Sequence, residues 1–367
     1  MGKVSIARID HGIEQGLSQV LYLLGGLGQF IQAADTVMLK PNLNGEEGCT
    51  DKGLVESLIQ MLFDLNVKKV FIGESTFGNA RLTSMFFQKT GYSDLAKRYG
   101  IDLVNLNESV AVETPVKNPL ILDKIRIARE VFEADKIVNI PNMKVHYATG
   151  VTLALKNLKG LLVGDEKKRF HELGLDKAIV DLNNTIPVHL NIIDCISCME
   201  KMGPRGGDLV QLGLLIAGEE RSEVDYVGCR IMGYDLSEVN HLRYFVETNQ
   251  IDLTRIEVVG EKLEHVKHPF KKVALEEMIP REFIIHNKNA CSACMNAFFL
   301  SCRFLEGKPR ENIDVFLGSI VEAEDVSGCL KLAFGNCCPQ DFSCDKRIRG
   351  CPPYPFALKD CLKEKIE

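Results

Sequence analysis

The cysteines near the C-terminus have the residue types and spacing of metal ligands. The stretch GNCCPQDFSCDKRIRGCPP, residues 335 to 353, contains four cysteines in nineteen residues, and a CxxC pair lies upstream in ACSAC. We select Cys291, Cys294, Cys337 and Cys351, which give the spacing C-x2-C-x42-C-x13-C. A zinc ribbon normally has two tight CxxC pairs. A single tight pair with two scattered cysteines, the last before proline, favours a [4Fe–4S] cluster instead.

The position of these cysteines also favours thiolate ligands. Cys291 and Cys294 lie where a helix should begin, and the free N–H groups of a helix N-terminus stabilise thiolates. Cys337 directly follows an apolar strand and is the preferred third ligand, with Cys338 and Cys344 as its rivals. Zinc bound by the same thiols, and thiols that bind no metal, are the alternative interpretations.

The remaining cysteines are more ambiguous. A second CxxC pair, Cys195 and Cys198 in DCISCMEKMGP, is a redox pair, part of a second metal site, or simply packed. We expect Cys302, Cys329 and Cys361 to pack as small apolar residues. Thirteen cysteines in a chain that starts without the apolar core of a secretion signal predict a cytoplasmic protein.

Ionisable residues follow several predicted strands. In open α/β sheets, ligands bind beyond the carboxyl ends of the strands. The residues that end or follow the runs DTVMLKPN, KKVFIGES, KIVNIPNM and HLNIIDC are therefore expected to line a pocket: Lys40, Asn42, Glu74, Lys144, His146 and Asp194.

A predicted helix adds further lysines to this pocket. The stretch TGVTLALKNLKGLLVG, residues 149 to 164, places Thr152, Lys156 and Lys159 at spacings of four and three, so that they share one helix face. His171 follows in KKRFHELGL. Lysines can bind a carboxylate or phosphate, and histidines can act as general acids or bases. Solvated lysines and purely structural histidines are the competing interpretation.

We assign roles to these residues as follows. The predicted catalytic residues are Lys144, His146, Lys156 and His171. The predicted substrate-binding residues are Lys40, Asn42, Glu74, Lys159 and Asp194. The sequence contains neither GxGxxG nor a P-loop motif, so nothing in it directly supports nucleotide binding.

The elements that must position these residues alternate along the chain. Predicted strands and helices alternate over the first 260 residues, which indicates an α/β fold with a mostly parallel, doubly wound-type sheet. The polar, proline-containing segment 265 to 280 marks a boundary. We therefore predict an α/β domain over residues 1–265 and a smaller, cysteine-rich α/β domain over residues 281–367, which holds the iron–sulfur cluster.

Charge and hydropathy exclude two classes of partner. The net charge of -6 and the pI of about 5.9 argue against non-specific binding to nucleic acid, which needs a basic surface. No apolar run approaches the eighteen or so residues of a membrane-spanning helix.

Several stretches in one order resemble the domain-of-unknown-function 362 family, which is described as sometimes associated with iron–sulfur proteins. They are LKPN at 39–42, GYSDLAKRYGIDLVNLNE at 91–108, NIPNMKVH at 139–146, VTLALKNLKG at 151–160 and DCISCMEKMGP at 194–204.

The cysteine segments carry a resemblance of their own. CSAC, GNC and GCPP are similar to the cysteine-bearing tail of some members of this family. GCPP also resembles a loop in the cluster-bearing small subunit of respiratory complex I and related hydrogenases, which implies that Cys351 is a ligand. Cys195 and Cys198 stand where relatives are expected to have a glycine-rich DGI-GMEG-GP. The resemblance implies no particular reaction.

Three functions fit these patterns. The first is a redox enzyme that holds a small anionic substrate in the lysine and histidine pocket beside a [4Fe–4S] cluster and takes electrons from a ferredoxin-like donor. The second is an electron-transfer or cofactor-assembly carrier without a substrate of its own. The third is an interaction protein stapled by zinc.

Overall fold

The chain forms two compact units, one ending at Val273 and the other beginning at Ala274. The computed structural model describes residues 2 to 320 and 328 to 365. The division between the units lies within the segment 265 to 280. Each unit has its own sheet, and the α/β fold predicted from the sequence is confirmed.

Twelve strands are described in the first unit, and ten of them form one sheet. The strands are β1 Lys3–Arg8, β2 Thr36–Pro41, β3 Lys69–Glu74, β4 Asp102–Asn105, β5 Ala111–Pro115, β6 Lys124–Ala128, β7 Lys136–Ile140, β8 Asn142–His146, β9 Gly150–Thr152, β10 Leu190–Glu200, β11 Asp208–Gly218 and β12 Glu257–Gly260.

The large sheet is mostly parallel. Its strand order is β12-β1-β11-β10-β7-β2-β3-β4, and β8 and β9 extend it beside β10. The five strands from β10 to β4 run parallel to one another. Strand β11 is antiparallel to both β10 and β1. Strands β5 and β6 pair separately as an antiparallel ribbon.

Helices connect these strands. They are α1 Ile13–Leu23, α2 Lys52–Asp64, α3 Ala80–Lys89, α4 Tyr92–Tyr99, α5 Glu130–Glu133, α6 Ala154–Asn157, α7 Glu166–Leu173, α8 Leu175–Asn183, α9 Arg221–Met232, α10 Asn240–Asn249 and α11 Leu263–Val266. Short 3-10 turns lie at Leu27–Gln29, Leu106–Glu108, Leu158–Leu161, Leu236–Glu238 and Leu253–Arg255. Among the described helices, none is both long enough and apolar enough to cross a bilayer.

The sheet is buried on both faces, as the continuous apolar strands require. Side chains alternate between the faces of a strand. In β2, Val37 and Leu39 accordingly pack in one hydrophobic cluster with α1, α2, α3 and α4, whereas Met38 packs in the other cluster with α6, α8, α9 and α10. Helices on both faces make this a doubly wound arrangement.

The predicted helix over residues 149 to 164 is wrong. Residues Gly150–Thr152 form β9, which pairs antiparallel with β8, and Gly150 turns the chain with a φ of 76°. Helix α6 then has four residues, and the 3-10 turn Leu158–Leu161 follows it. Pairing with β8 therefore outweighs the local apolar periodicity.

The second unit contains a four-stranded parallel sheet. Its strands, β13 Phe283–Lys288, β14 Ile313–Gly318, β15 Leu330–Phe334 and β16 Lys346–Ile348, pair in chain order. Its helices are α12 Leu275–Met278, α13 Ser292–Arg303 and α14 Ala357–Leu362. Strand β16 lies inside the cysteine-containing stretch of residues 335 to 353.

Candidate functional site

A cleft lies at the carboxyl ends of β2 and β3. Because these strands are parallel and adjacent, the residues that follow them meet at one edge of the sheet. The cleft, which we call the lysine cleft, is lined by Asn42, Leu43, Asn44, Glu74, Ser75, Thr76, Phe77, Thr152, Lys156, Asn157, Lys159, Gly160, Lys167 and Pro204. Five of the predicted pocket residues are in this set: Asn42, Glu74, Thr152, Lys156 and Lys159.

A buried ion pair includes Glu74 of the cleft lining and Lys40, a predicted substrate-binding residue that does not line the cleft. The Lys40 ammonium pairs with the Glu74 carboxylate and also donates to the carbonyl oxygen of Pro41 at 2.7 Å. Burial lowers the pKa of Lys40 and raises the pKa of Glu74, and the attraction between them opposes both shifts. A Cβ at Gly160 would overlap the Glu74 carboxylate. Glycine in the KNLKG motif therefore permits this close approach.

A chain of asparagine amides ties the strand ends to α6. Asn157 donates to Asn139 Oδ1 at 2.8 Å and accepts from Asn42 Nδ2 at 2.8 Å. The Lys144 ammonium donates to Asn42 Oδ1 at 2.6 Å. These groups are buried, so each hydrogen bond satisfies a polar atom whose burial without a partner would be unfavourable. The network fixes the backbone that carries Lys156.

Helix α6 is also held from the opposite side. The buried Asp225 carboxylate on α9 accepts from the backbone N–H groups of Ala154 at 2.6 Å and Leu155 at 2.9 Å. These donors belong to the first turn of α6, where N–H groups have no partner within the helix. Burial raises the pKa of Asp225 to about 7.

Three lysines line the cleft: Lys156, Lys159 and Lys167. Lys156 donates to Thr152 Oγ1 at 3.2 Å. Lys167 on α7 donates to the carbonyl oxygens of Ser75 at 2.6 Å and Thr76 at 2.9 Å. The sequence prediction missed Lys167. It lies four residues before His171 on the same helix, and this spacing could have indicated a shared face.

Burial depresses the pKa values of these lysines. It lowers the pKa of Lys159 and of Lys167 to about 7, and the pKa of Lys156 falls well below its usual value. Desolvation is the largest cause for each, and mutual repulsion between the ammonium groups adds to it for Lys156 and Lys167. An incoming anion would relieve both effects, because it supplies the missing countercharge.

The two predicted histidines lie in different surroundings. Nε2 of His171 is 2.9 Å from the Lys159 amine, and its ring packs edge-on against Phe77. Neither histidine is among the residues that line the cleft, and His146 is buried. Its Nδ1 accepts from the backbone N–H of Ala148 at 3.1 Å, and its ring stacks on Tyr147. Burial lowers both histidine pKa values well below the usual range, so both rings are neutral.

Two other predicted residues also lie outside the lining of the cleft. Lys144 donates to the Gly48 carbonyl oxygen, and burial lowers its pKa to about 8. The Asp194 carboxylate accepts from the backbone N–H groups of Asp51 at 2.7 Å and Ile196 at 2.8 Å. Burial raises the pKa of Asp194 to about 6. In this structure, Asp194 anchors the start of α2.

In the second unit, Cys294 lies among the other cysteines that the sequence predicted as ligands. A hydrogen bond with the Cys291 thiol raises the pKa of Cys294, burial adds to the rise, and the charges of Cys337 and Cys351 contribute further. Cys291 caps α13 and Cys294 lies in its first turn. The helix N-terminus therefore faces this group of sulfur atoms, which we call the four-thiol group.

Two loops bring the remaining thiols of this group together. The backbone N–H of Asn336 donates to the Gly350 carbonyl oxygen at 3.0 Å, and the N–H of Gly350 donates to Asn336 Oδ1 at 2.8 Å. Cys337 and Cys351 each follow directly on these bonded residues. The paired loops explain how two thiols separated by thirteen intervening residues become neighbours.

Gly335 lets the first of these loops approach α13. Its φ is 95°, in the region that favours glycine, and its N–H donates to the Ile348 carbonyl oxygen at 2.9 Å. A Cβ at this position would lie 3.3 Å from Sγ of Cys294. A larger side chain would therefore crowd the Cys294 thiol.

Within residues 2 to 320 and 328 to 365, no three His, Cys, Asp or Glu side chains are arranged to hold one metal ion. A zinc site needs its thiolates around a single centre, whereas in a [4Fe–4S] cluster each cysteine binds a different iron atom.

The other cysteines differ in their surroundings. Cys338 is buried with Phe316 and Phe342, and Cys344 packs against the same cluster. Cys302 is buried as predicted, but Cys329 is exposed, which corrects its predicted packing. Cys329 lies one residue before β15 and not within the strand.

The second CxxC pair is buried in the large core of the first unit. Cys195 and Cys198 share a hydrogen bond, and burial is the largest cause that raises the pKa of Cys198. A β-bulge between Cys195 and Ser197 interrupts the regular pairing of β10 with β11. Both side chains belong to the apolar core of this unit.

The chain is similar in sequence to a known family and to a protein of a cyanobacterium. A family model described as domain of unknown function (DUF362) matches residues 37–230. A thylakoid-associated protein of Synechocystis sp. is 32% identical over 232 residues, which cover 60% of this chain and 70% of that protein.

Two solved structures are more distantly similar. A crystal structure of a protein from Thermotoga maritima has 14% identity and a TM-score of 0.42, and the match covers 83% of this chain and 70% of that one. The lactate racemase apoprotein from Thermoanaerobacterium thermosaccharolyticum has 12% identity and a TM-score of 0.38, with 86% and 69% covered.

Proposed function

The chain belongs to the family described as domain of unknown function 362, and from this premise we propose that it is an iron–sulfur redox enzyme that acts on a small organic anion. The observation that carries the proposal is the four-thiol group. The pKa of Cys294 responds to the same three cysteines that the sequence predicted as its partners. The donor set consists of four thiols at a helix N-terminus, and Gly335 lets its loop approach that helix closely. This donor set is suited to a [4Fe–4S] cluster.

The residues that would hold the cluster are Cys291, Cys294, Cys337 and Cys351. When bound, a [4Fe–4S] cluster supplies electrons one at a time. Reduction of an organic anion by two electrons would therefore need an external donor, for which a ferredoxin-like protein is the proposed partner.

The lysine cleft supports an anionic substrate. Three ammonium groups line it, and the one carboxylate in its lining, Glu74, is already paired with Lys40. Opposite charges attract strongly where water is excluded. Lys156 and Lys167 would bind a carboxylate group, while the contact between Lys159 and His171 provides a route for a proton.

A carrier without its own substrate is the second candidate. Its support comes from Cys337 and Cys351, which are exposed. A cluster bound by these thiols would be accessible to a protein partner. The two candidates differ in whether the lysine cleft matters for electron transfer out of the protein.

The effect of Lys156→Ala on reoxidation separates these functions. Protein reduced with dithionite and freed of excess reductant would be mixed anaerobically with a panel of small 2-oxo and unsaturated carboxylates. An enzyme is expected to be reoxidised by at least one of them, and Lys156→Ala is expected to lose this reaction and anion binding while its iron content is unchanged. Lys168→Ala, on the exposed side of α7, is the matched control and should behave as native. Reoxidation by protein partners alone, with no effect of any acid, would favour the carrier.

Anion affinity is expected to fall as the pH rises from about 6 to about 8. Lys159 and Lys167, with pKa values of about 7, lose their protons over this range. Because an anion prefers the protonated form, Kd should rise about tenfold for each lysine that pairs with it. Titration calorimetry at each pH measures the change. Lys167→Arg should flatten the profile, since arginine stays charged; an affinity independent of pH in the native protein would contradict this.

A further inference from the structure

Lys159 differs from the neighbouring lysines in the partner of its amine. Lys40 pairs with a carboxylate, and Lys167 donates to carbonyl oxygens. The Lys159 amine lies 2.9 Å from Nε2 of His171. Burial alone shifts its pKa, and within the described part of the chain no carboxylate forms an ion pair with it.

This contact restricts the protonation of both groups. A hydrogen bond between an amine and a ring nitrogen needs one donor and one acceptor, so the lysine and the histidine cannot both carry their extra proton. Burial lowers the pKa of Lys159 to about 7. A substantial fraction of Lys159 is therefore a neutral amine near neutral pH, and a desolvated lysine beside other cationic groups is an activated nucleophile.

We propose that Lys159 forms a covalent imine with 2-oxo acids in the lysine cleft. The inference rests on the proposed anion-binding role of the cleft and names the substrate class. The carboxylate of a 2-oxo acid would pair with the ammonium groups of Lys156 and Lys167, which line the same cleft. Its carbonyl carbon, one bond away from that carboxylate, would then face the Lys159 amine.

The proposed step is balanced without an oxidant or reductant. The nitrogen of Lys159 adds to the carbonyl carbon and gives a carbinolamine. His171 accepts a proton from that nitrogen and returns it to the carbinolamine oxygen, which leaves as water. The overall reaction is amine plus ketone giving imine plus water. No atom is oxidised or reduced.

Lys159 suits this role better than Lys156. The Lys156 amine donates to Thr152 Oγ1 and lies deeper, with 9% of the residue exposed. No general base among the described residues is within hydrogen-bond distance of it. Lys159 is half-buried and therefore open to the cleft, and it has His171 as its proton acceptor.

Trapping with borohydride tests the assignment. The full-length protein would be incubated with pyruvate and sodium borohydride, which reduces an imine irreversibly to a secondary amine, and the adduct would be located by peptide mass spectrometry. We expect one pyruvyl adduct on Lys159. Lys159→Arg keeps the positive charge and should lose the adduct, whereas Lys168→Arg, on a surface lysine, should retain it.

Calorimetric titration with pyruvate separates failure of this inference from failure of the proposed function. Pyruvate binding without any trapped adduct would overturn the imine and leave the anion site standing. No pyruvate binding, and no binding of other small carboxylates, would overturn both. An adduct on Lys156 or on surface lysines would overturn the assignment to Lys159.

Discussion

Cys294→Ala is expected to purify anaerobically with less than about a tenth of the iron and sulfide of the native protein. Cys294 is the most buried member of the four-thiol group, and its pKa responds to all three of the others. Removing it would leave one iron of a [4Fe–4S] cluster without its thiolate. Iron, acid-labile sulfide and the visible absorption spectrum measure the loss.

Cys338→Ala is the matched control for this experiment. Cys338 is equally buried and adjoins Cys337 in sequence, but it packs against Phe316 and Phe342. Its loss should cost at most about 1 kcal/mol of stability through a small cavity, and iron and sulfide should remain at native levels. Equal iron in both variants, or greater loss in Cys338→Ala, would show that the ligand set is wrong.

Glu74→Gln is expected to lower the free energy of unfolding of the first unit by about 3–5 kcal/mol. It leaves the fully buried Lys40 ammonium without a countercharge, and the carbonyl oxygen of Pro41 is a neutral acceptor only. Burial already lowers the pKa of Lys40, and loss of the carboxylate removes the interaction that opposes this shift. Urea unfolding followed by circular dichroism measures the change.

A double-mutant cycle isolates the ion pair. Lys40→Met combined with Glu74→Gln should be less destabilising than the sum of the single variants, because neither charge is then left alone. The exposed pair Lys124 and Glu113 is the control, and its removal should leave the unfolding midpoint unchanged. Strict additivity in the Lys40 and Glu74 cycle would contradict a coupled buried pair.

The fold of the first unit was largely accessible from the sequence. Continuous apolar runs predict strands that are buried in a parallel sheet. Runs of this kind form β2, β3 and β7, and their side chains pack in hydrophobic clusters on both faces of the sheet. Strand β9 was not predictable in this way. Its three residues become a strand because they pair with β8. Local periodicity carries no information about this pairing.

The site was predicted in part. Lys40 and Glu74 end adjacent parallel strands, so strand position alone placed them together. Lys167 was not predicted as a site residue because its partners, the carbonyl oxygens of Ser75 and Thr76, lie more than ninety residues away in the sequence. Backbone carbonyl groups cannot be recognised from residue types. The hydrogen-bonded chain of asparagines through Asn157 was not predicted for a similar reason, since it joins three elements that are distant in the sequence.

The most direct test of the iron–sulfur assignment is metal and sulfide analysis of the anaerobically purified native protein, with electron paramagnetic resonance after reduction. The account predicts about four iron and four sulfide per chain and the low-temperature signal of a reduced [4Fe–4S] cluster. Protein that carries one zinc, or that takes up neither iron nor sulfide when reconstituted without oxygen, would contradict it.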